Sequence, residues 1–415
     1  MAIYPLTITQ LGPLGDGIHE SPRGRVFVDR ALPGDEVRAK VSQDADGVYR
    51  GEISQIVKPS EYRQVAPCPF YDQCGNCSLQ HATDSFYRAW KLETVKQALL
   101  KYGVSAPTWL EPIFLGGHNR RRATFTALRE GHKIVVGYYR RRSRILSDID
   151  SCAIASPKLM ELRSALKPFL VTLLKPGKAV DIFLQLVGDA VDLVFTGPIN
   201  IKHDTLEALS VVCGITRISW RPTTEANLKT LYSQGNVTVE FHNLKVHLPA
   251  FAFLQPTLEG EKALVNEVRS VLPTKARSAD LFAGCGTFSG ALLSYGPVDA
   301  YESVNTAVMA LSKAAGKMPL KVFQRDLFKK PLSPKECQNY DVIVFDPPRA
   351  GALAQATQLA KATTPLVIGI SCQPATFARD ASLLQQGGYR LKSLRVIDQF
   401  LWSHHVEVVG VFSKQ

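Results

Sequence analysis

Cys372 stands in Ser371-Cys372-Gln373-Pro374, directly after the apolar run Leu366-Val367-Ile368-Gly369-Ile370. A strand that delivers a thiol to a polar turn puts it where a doubly wound sheet carries its chemistry, although a lone cysteine more often serves as a small buried hydrophobe. Two carboxyls share that setting. Asp346 follows Val342-Ile343-Val344-Phe345 and is backed by Pro347 and Pro348, which stiffen the turn, while Glu407 lies in the apolar terminal run after His404-His405-Val406. A thiolate nucleophile and a carboxyl whose pKa is raised by burial suit addition to a ring followed by removal of a proton. On periodicity alone, Glu407 could equally face solvent.

The methyl or other group to be transferred needs a second site. Asp280-Leu281-Phe282-Ala283-Gly284-Cys285-Gly286-Thr287 joins a strand to a helix, and its glycines allow a sharp bend and close approach to a ligand. A dinucleotide fingerprint would want a further glycine two residues after Gly286, where none stands. A ligand without pyrophosphate, such as S-adenosylmethionine, fits the shorter turn. Glu302 ends the next strand, suited to ribose hydroxyls, and Asp326 ends the one after, suited to an adenine amino group or to capping a helix. Uracil C5 attacks a methyl sulfonium once a thiolate has added to C6, so thiol, carboxyls and cofactor turn together describe one reaction.

The elements that must position these groups fall into three parts. Residues 1–62 alternate apolar and polar positions between Gly and Pro turns, predicting a small OB-like barrel. Residues 63–245 predict a mainly β central domain, with a helix over 84–101 capped by Asp84 and packing on the catalytic part, and another over 157–173. Residues 246–415 alternate strands and helices, predicting an α/β, doubly wound, Rossmann-like catalytic domain. The chain has 415 residues, 49 Lys and Arg against 37 Asp and Glu, and a net charge of +12, which suits a polyanionic partner or merely solubility. No h-region occupies residues 1–30 and no 18-residue apolar run occurs, so a soluble cytoplasmic protein without membrane contact is expected.

These motifs resemble the RNA uracil-C5 methyltransferases, which make 5-methyluridine in transfer and ribosomal RNA, over nearly the whole chain. The resemblance implies Cys372 as nucleophile, Glu407 of His405-Val406-Glu407 as proton acceptor and Asp346 of Asp346-Pro347-Pro348-Arg349 as a catalytic carboxylate. It implies S-adenosylmethionine contacts from Gln255, Phe282, Gly284, Gly286, Thr287, Glu302, Asp326 and Asp346. Thr257 and Thr287 depart from the commonest pattern, where asparagine is frequent. Gly24-Arg25-Val26-Phe27-Val28 resembles the family's optional RNA-binding barrel, the TRAM domain.

Cys68, Cys74, Cys77 and the distant Cys152 offer four thiolates, and their spacing alone does not separate zinc from an iron–sulfur cluster. The resemblance implies a [4Fe–4S] cluster of structural role. Arg120, Arg121 and Arg122 precede Phe125, and Arg140, Arg141 and Arg142 follow Tyr138 and Tyr139, a pattern of cations and aromatics suited to phosphates and splayed bases or to a solvated charged face. The family resemblance makes Phe125 the base-stacking residue. Ribosomal RNA, 23S in particular, is the preferred substrate, with uridine 54 of transfer RNA as alternative. A non-catalytic RNA-binding homologue and a folate- and flavin-dependent enzyme compete with this reading. A monomer without an obligate protein partner is expected.

Overall fold

A computed structural model describes residues 3–105, 107–200 and 202–414. The nine-stranded sheet that carries the chemistry begins its parallel part in the order Leu320–Gln324, Val298–Glu302, Ser278–Leu281, Val342–Phe345, Leu366–Ser371. Glu407–Lys414 then inserts antiparallel beside Leu366–Ser371, and Tyr389–Asp398 follows it. Because these strands are covered on both faces, alternate residues enter opposite cores. Val342 and Val344 join Leu264, Ala291 and Leu311 on one side, while Ile343 and Phe345 join Val95, Leu359 and Phe377 on the other. Strand order reverses between Ser278–Leu281 and Val342–Phe345, so the crevice of the sheet opens beyond the carboxyl ends of that pair.

Two segments expected in the central domain pack against the core of this sheet instead. Thr108–Trp109 and Ile113–Phe114 pair with Tyr389–Asp398 at its edge, and the hairpin Thr238–Phe241 with Leu244–His247 packs Phe241, Leu244 and Val246 into its core. Both are short, so their apolar residues find enough partners only on the larger core. Helix Asp84–Lys101 also packs here, and its N-cap is Thr83 rather than the expected Asp84, which sits one position further in and pairs with Arg88 at 2.7 Å.

That helix holds a feature invisible to periodicity. Lys91 is buried on the same stripe as Tyr87, Val95 and Leu99, and it reaches Asp398 at 3.0 Å and the carbonyl of His405. Asp398 also accepts from the hydroxyl of Tyr87, and that oxygen accepts the N–H of Trp402 at 2.9 Å. Three buried polar groups thereby fix the loop that leads to Glu407. Breaking a buried ion pair leaves a charge uncompensated, so Lys91→Met should destabilise the fold by about 3–5 kcal/mol. Loss of the exposed Asp84–Arg88 pair through Arg88→Ala should cost no more than about 0.5 kcal/mol, and urea titrations of both variants check the contrast.

The amino-terminal strands form a six-stranded sheet in the order Ile3–Thr7, Glu36–Gln43, Tyr49–Lys58, Gly24–Val28, Gly17–Ser21, Gln10–Leu11. Its two outermost strands are separated by Ile8 and Thr9 alone, which themselves bond to Asp35 and Ile18 on opposite sides, so the sheet closes into a barrel. Leu6, Ile8, Val26, Val28, Val37 and Ala39 fill it. The central seven-stranded sheet runs from Leu146–Asp148 to Lys229–Ser233 and is covered by helices Pro157–Leu173 and His203–Cys213. No helix of the described residues is long and apolar enough to cross a membrane.

Candidate active site

Beyond the carboxyl ends of the parallel strands lies a cleft of about 450 Å³, lined by Gln255, Phe282, Gly284, Glu302, Asp326, Asp346, Cys372 and Glu407 among others. Eight of the residues expected to bind cofactor or perform chemistry therefore share one space. Gly286 and Thr287 do not line it. A Cβ on Gly286 would come within 2.6 Å of Leu311, and Thr287, half-buried, opens the short helix Thr287–Leu292.

The turn itself needs left-handed backbone. Phe282, Gly284 and Gly286 have φ of 62°, 55° and 99°, strain that a non-glycine residue such as Phe282 sustains where the surroundings enforce it. Its ring lies 5.4 Å from that of Phe328 across the cleft wall. Glu302 clamps the bend: Oε2 accepts the N–H of Gly284 at 2.9 Å, and Oε1 accepts those of Ser303 and Val304 at 2.7 and 2.8 Å. Asp326 accepts the N–H of Phe328 at 3.0 Å, the capping arrangement, and still lines the cleft. A Cβ on Gly284 would meet no protein atom within 4 Å and would occupy the cleft. Two carboxylates on successive strand ends, an aromatic wall and a Cβ-free backbone suit a nucleoside that bears hydroxyls and an amino group.

At the reacting end, Gln255 is buried and donates from Nε2 to Oδ2 of Asp346 at 3.1 Å. Burial pushes the Asp346 carboxyl up to about 7. Glu407 is 4% exposed, and burial, with the nearby Asp346 charge, holds its pKa well above the usual carboxylate range. The Cys372 thiol, half-buried at the end of Leu366–Ser371, is pushed up to about 12 by burial and by the carboxylates of Glu407 and Asp346, against an opposing effect of Arg349. A thiol held neutral among carboxyls attacks only after losing its proton, so ionisation and substrate entry are coupled. Gln399, absent from the sequence reading, bridges Gln255 at 2.8 Å and Glu407 at 3.2 Å. Its place next to Asp398, in the loop before Glu407, was the only signal.

A family model described as tRNA (uracil-5-)-methyltransferase matches residues 326–415. An uncharacterized RNA methyltransferase of Agrobacterium fabrum is 35% identical over 430 residues, covering 100% of both chains. A 23S rRNA (uracil(1939)-C(5))-methyltransferase of Alteromonas naphthalenivorans is 27% identical, over 94% of this chain and 85% of that one. The chain belongs to the RNA uracil-C5 methyltransferase family. It is therefore an S-adenosylmethionine-dependent RNA methyltransferase. The crystal structure of a tRNA (uracil-54, C5)-methyltransferase of Pyrococcus abyssi with S-adenosyl-L-homocysteine shares its fold, with a TM-score of 0.77, 20% identity and coverage of 98% and 99%.

In this methyltransferase Cys68, Cys74, Cys77 and Cys152 line one narrow cavity beside Tyr71 and Ile149. Burial, with the neighbouring thiols acting in the same direction, raises Cys74 to about 11 and Cys77 to about 12. Among the described residues, no group of three or more His, Cys, Asp or Glu side chains is placed to hold a metal ion. The cavity adjoins the catalytic loop, for Ser78 and Leu79 donate their N–H groups to the carbonyl of Trp402 at 2.8 and 3.1 Å.

The arginines divide. Arg121 is committed to the fold, pairing with Glu261 at 2.5 Å and donating to the Gln255 carbonyl at 2.9 Å. Arg141 and Arg142 both hold the buried Asp16 at 2.8 Å, tying the barrel to the central sheet, and both line the wide groove beside the barrel. Arg122 lines the catalytic cleft with its guanidinium 4.2 Å from the centre of the exposed Phe253 ring. Arg120 is half-buried and Arg140 exposed. Phe125 is a correction: it is 0% exposed, sealed under helix Pro157–Leu173 and against Tyr138. Alternation along Arg122–Glu130 sends Phe125 and Ala127 inward, away from the face of Arg122 and Thr124, so no base can stack on it. Arg30, Lys40, Arg50 and Arg63 line the same groove as Arg141 and Arg142.

Proposed function

We propose that this methyltransferase forms 5-methyluridine in 23S ribosomal RNA, with Cys372 as nucleophile, Asp346 orienting the uracil and Glu407 accepting the C5 proton. The observation that carries the reading is the meeting of Cys372, Asp346 and Glu407 in a cleft whose other end presents Phe282, Gly284 and Glu302. The thiol proton of Cys372 is lost to solvent, the resulting thiolate adds through Sγ to C6, and the charge released onto C5 makes that carbon the nucleophile. S-adenosylmethionine, when bound, supplies the electrophilic methyl group. Asp346, whose raised pKa leaves it able to donate or accept, pairs with the polar edge of the ring. Glu407 then takes the C5 proton, the S–C6 bond breaks and Cys372 regains its thiolate. The uridine must leave its stack to reach Sγ, so an open loop or a flipped base is the substrate.

Four thiols around one cavity, drawn from segments far apart in sequence, fit a [4Fe–4S] cluster held by Cys68, Cys74, Cys77 and Cys152. The role of these ligands is to fasten the cysteine loop against the central sheet and the Trp402 loop; no step passes through the cluster. The barrel is read as a TRAM-type RNA-binding module of residues 1–62, with the groove of Arg30, Lys40, Arg50 and Arg63 beside it as a phosphate track. A monomer acting in the cytoplasm completes the reading.

Methyl-labelled S-adenosylmethionine and total RNA from cells lacking this enzyme test the substrate. Label is expected as 5-methyluridine in 23S ribosomal RNA. Label confined to transfer RNA would replace that substrate, and none in any RNA would favour a non-catalytic homologue. Anaerobic purification should give a brown protein with broad visible absorption, whereas a colourless protein would remove the cluster.

A further inference from the structure

Gln399 is 3% exposed and lies in the loop between Tyr389–Asp398 and Glu407–Lys414. Its Nε2 donates to Oε1 of Gln255 at 2.8 Å and to Oε1 of Glu407 at 3.2 Å, and Gln255 donates in turn to Asp346 at 3.1 Å. Two carboxamides thus connect the two carboxyls of the cleft. Their orientation follows from one end, since an ionised carboxylate only accepts: Gln255 turns its NH₂ to Asp346, leaving Oε1 for Gln399, whose own NH₂ must face Gln255 and Glu407. Oε1 of Gln399 is left without a partner and lies where a Cβ on Gly260 would come within 2.3 Å. The backbone of Gly260 therefore admits the carboxamide in this rotamer, and any side chain there would displace it.

Glu407 is anchored on one oxygen only. Oε1 accepts from Gln399, while Oε2 is buried and unpartnered, and the residue lines the cleft with Cys372. We propose that Gln399 is a positioning residue for the proton acceptor: it holds Oε1 of Glu407, so that Oε2 meets the C5 proton, and it favours the ionised carboxylate. The groups facing Glu407 make such a donor necessary. Asp346 at the end of Val342–Phe345 and Asp398 at the end of Tyr389–Asp398 both disfavour its charge. Lys91 offsets Asp398, and the Cys372 thiol, at the end of Leu366–Ser371, is neutral. The step served is proton transfer: the C5–H bond breaks, its proton goes to Oε2, its electron pair restores the C5–C6 double bond, and the S–C6 bond breaks to leave the thiolate.

This inference rests on the mechanism proposed above, and the experiment separates the two. Full-length enzyme, transcribed 23S ribosomal RNA and S-adenosylmethionine are mixed in single turnover across a pH series, recording methyl incorporation and the lifetime of the covalent enzyme–RNA adduct. Gln399→Met keeps the volume and removes the donor. Its methyl incorporation should stay within about 3-fold of wild type, adduct resolution at pH 7 should slow about 10-fold, and the pH midpoint of resolution should rise by about one unit, because losing a donor to the carboxylate raises its pKa. Gln399→Glu, which puts a third carboxyl there, should move the midpoint further in the same direction and serves if the methionine variant does not fold. An unchanged midpoint, or incorporation and resolution falling together, would overturn the role. A wild-type enzyme that forms no adduct would instead defeat the underlying mechanism.

Discussion

Cys372→Ala should abolish methylation while leaving the fold and cofactor binding intact. The alanine cannot add to C6, so C5 stays unactivated, and the loss should reach at least about four orders of magnitude in turnover, the scale seen when a nucleophile is removed from an otherwise complete site. Fold and cofactor site should persist for a physical reason. Sγ of Cys372 sits at the mouth of Leu366–Ser371, while Gln255, Phe282 and Glu302 are held by other elements. Methyl incorporation, set against S-adenosylmethionine binding by calorimetry, checks the prediction. Binding lost in parallel with activity would mean that Cys372 holds the site together rather than reacts.

Glu407→Gln should fail later in the reaction. Cys372 can still add and C5 can still accept the methyl group, but the C5 proton has no acceptor. One methyl group per enzyme should therefore be transferred, the RNA should remain attached, and turnover should fall by roughly 10²–10⁴-fold, the usual range for a positioned base. A denaturing gel of methyl-labelled RNA would show the label migrating with protein. Rapid clean turnover would remove Glu407 from its role. The two variants differ in where the label ends, nowhere for Cys372→Ala and on a protein–RNA adduct for Glu407→Gln.

The catalytic end of the chain was legible because its signals are local. An apolar run that ends in a polar turn marks a carboxyl strand end, and three such ends brought Asp346, Cys372 and Glu302 to one cleft. Helix Pro157–Leu173 was readable from Ser156, whose hydroxyl caps Leu159, and from Pro157 at its first position. What escaped depends on distant partners. Nothing local announces the burial of Lys91, which is explained by Asp398, 307 residues away. Nothing near Arg141 and Arg142 in sequence announces their pairing with Asp16. Phe125 was misplaced for another reason: flanking arginines suggested exposure, whereas strict alternation would have sent it inward. Gln399 carries no charge and stands in no glycine or proline pattern, so only its position between Gln255 and Glu407 reveals it.

The most direct measurement uses RNA in which 5-fluorouridine replaces uridine. Fluorine at C5 cannot leave as a proton, so after methyl transfer the ring should stay bonded to Cys372. With S-adenosylmethionine present, the wild-type enzyme should give a denaturation-resistant protein–RNA complex, and mass spectrometry of the digested complex should place the nucleotide on the peptide containing Cys372. Cys372→Ala should give none. Equal trapping by both proteins, or a nucleotide on any other residue, would contradict the account.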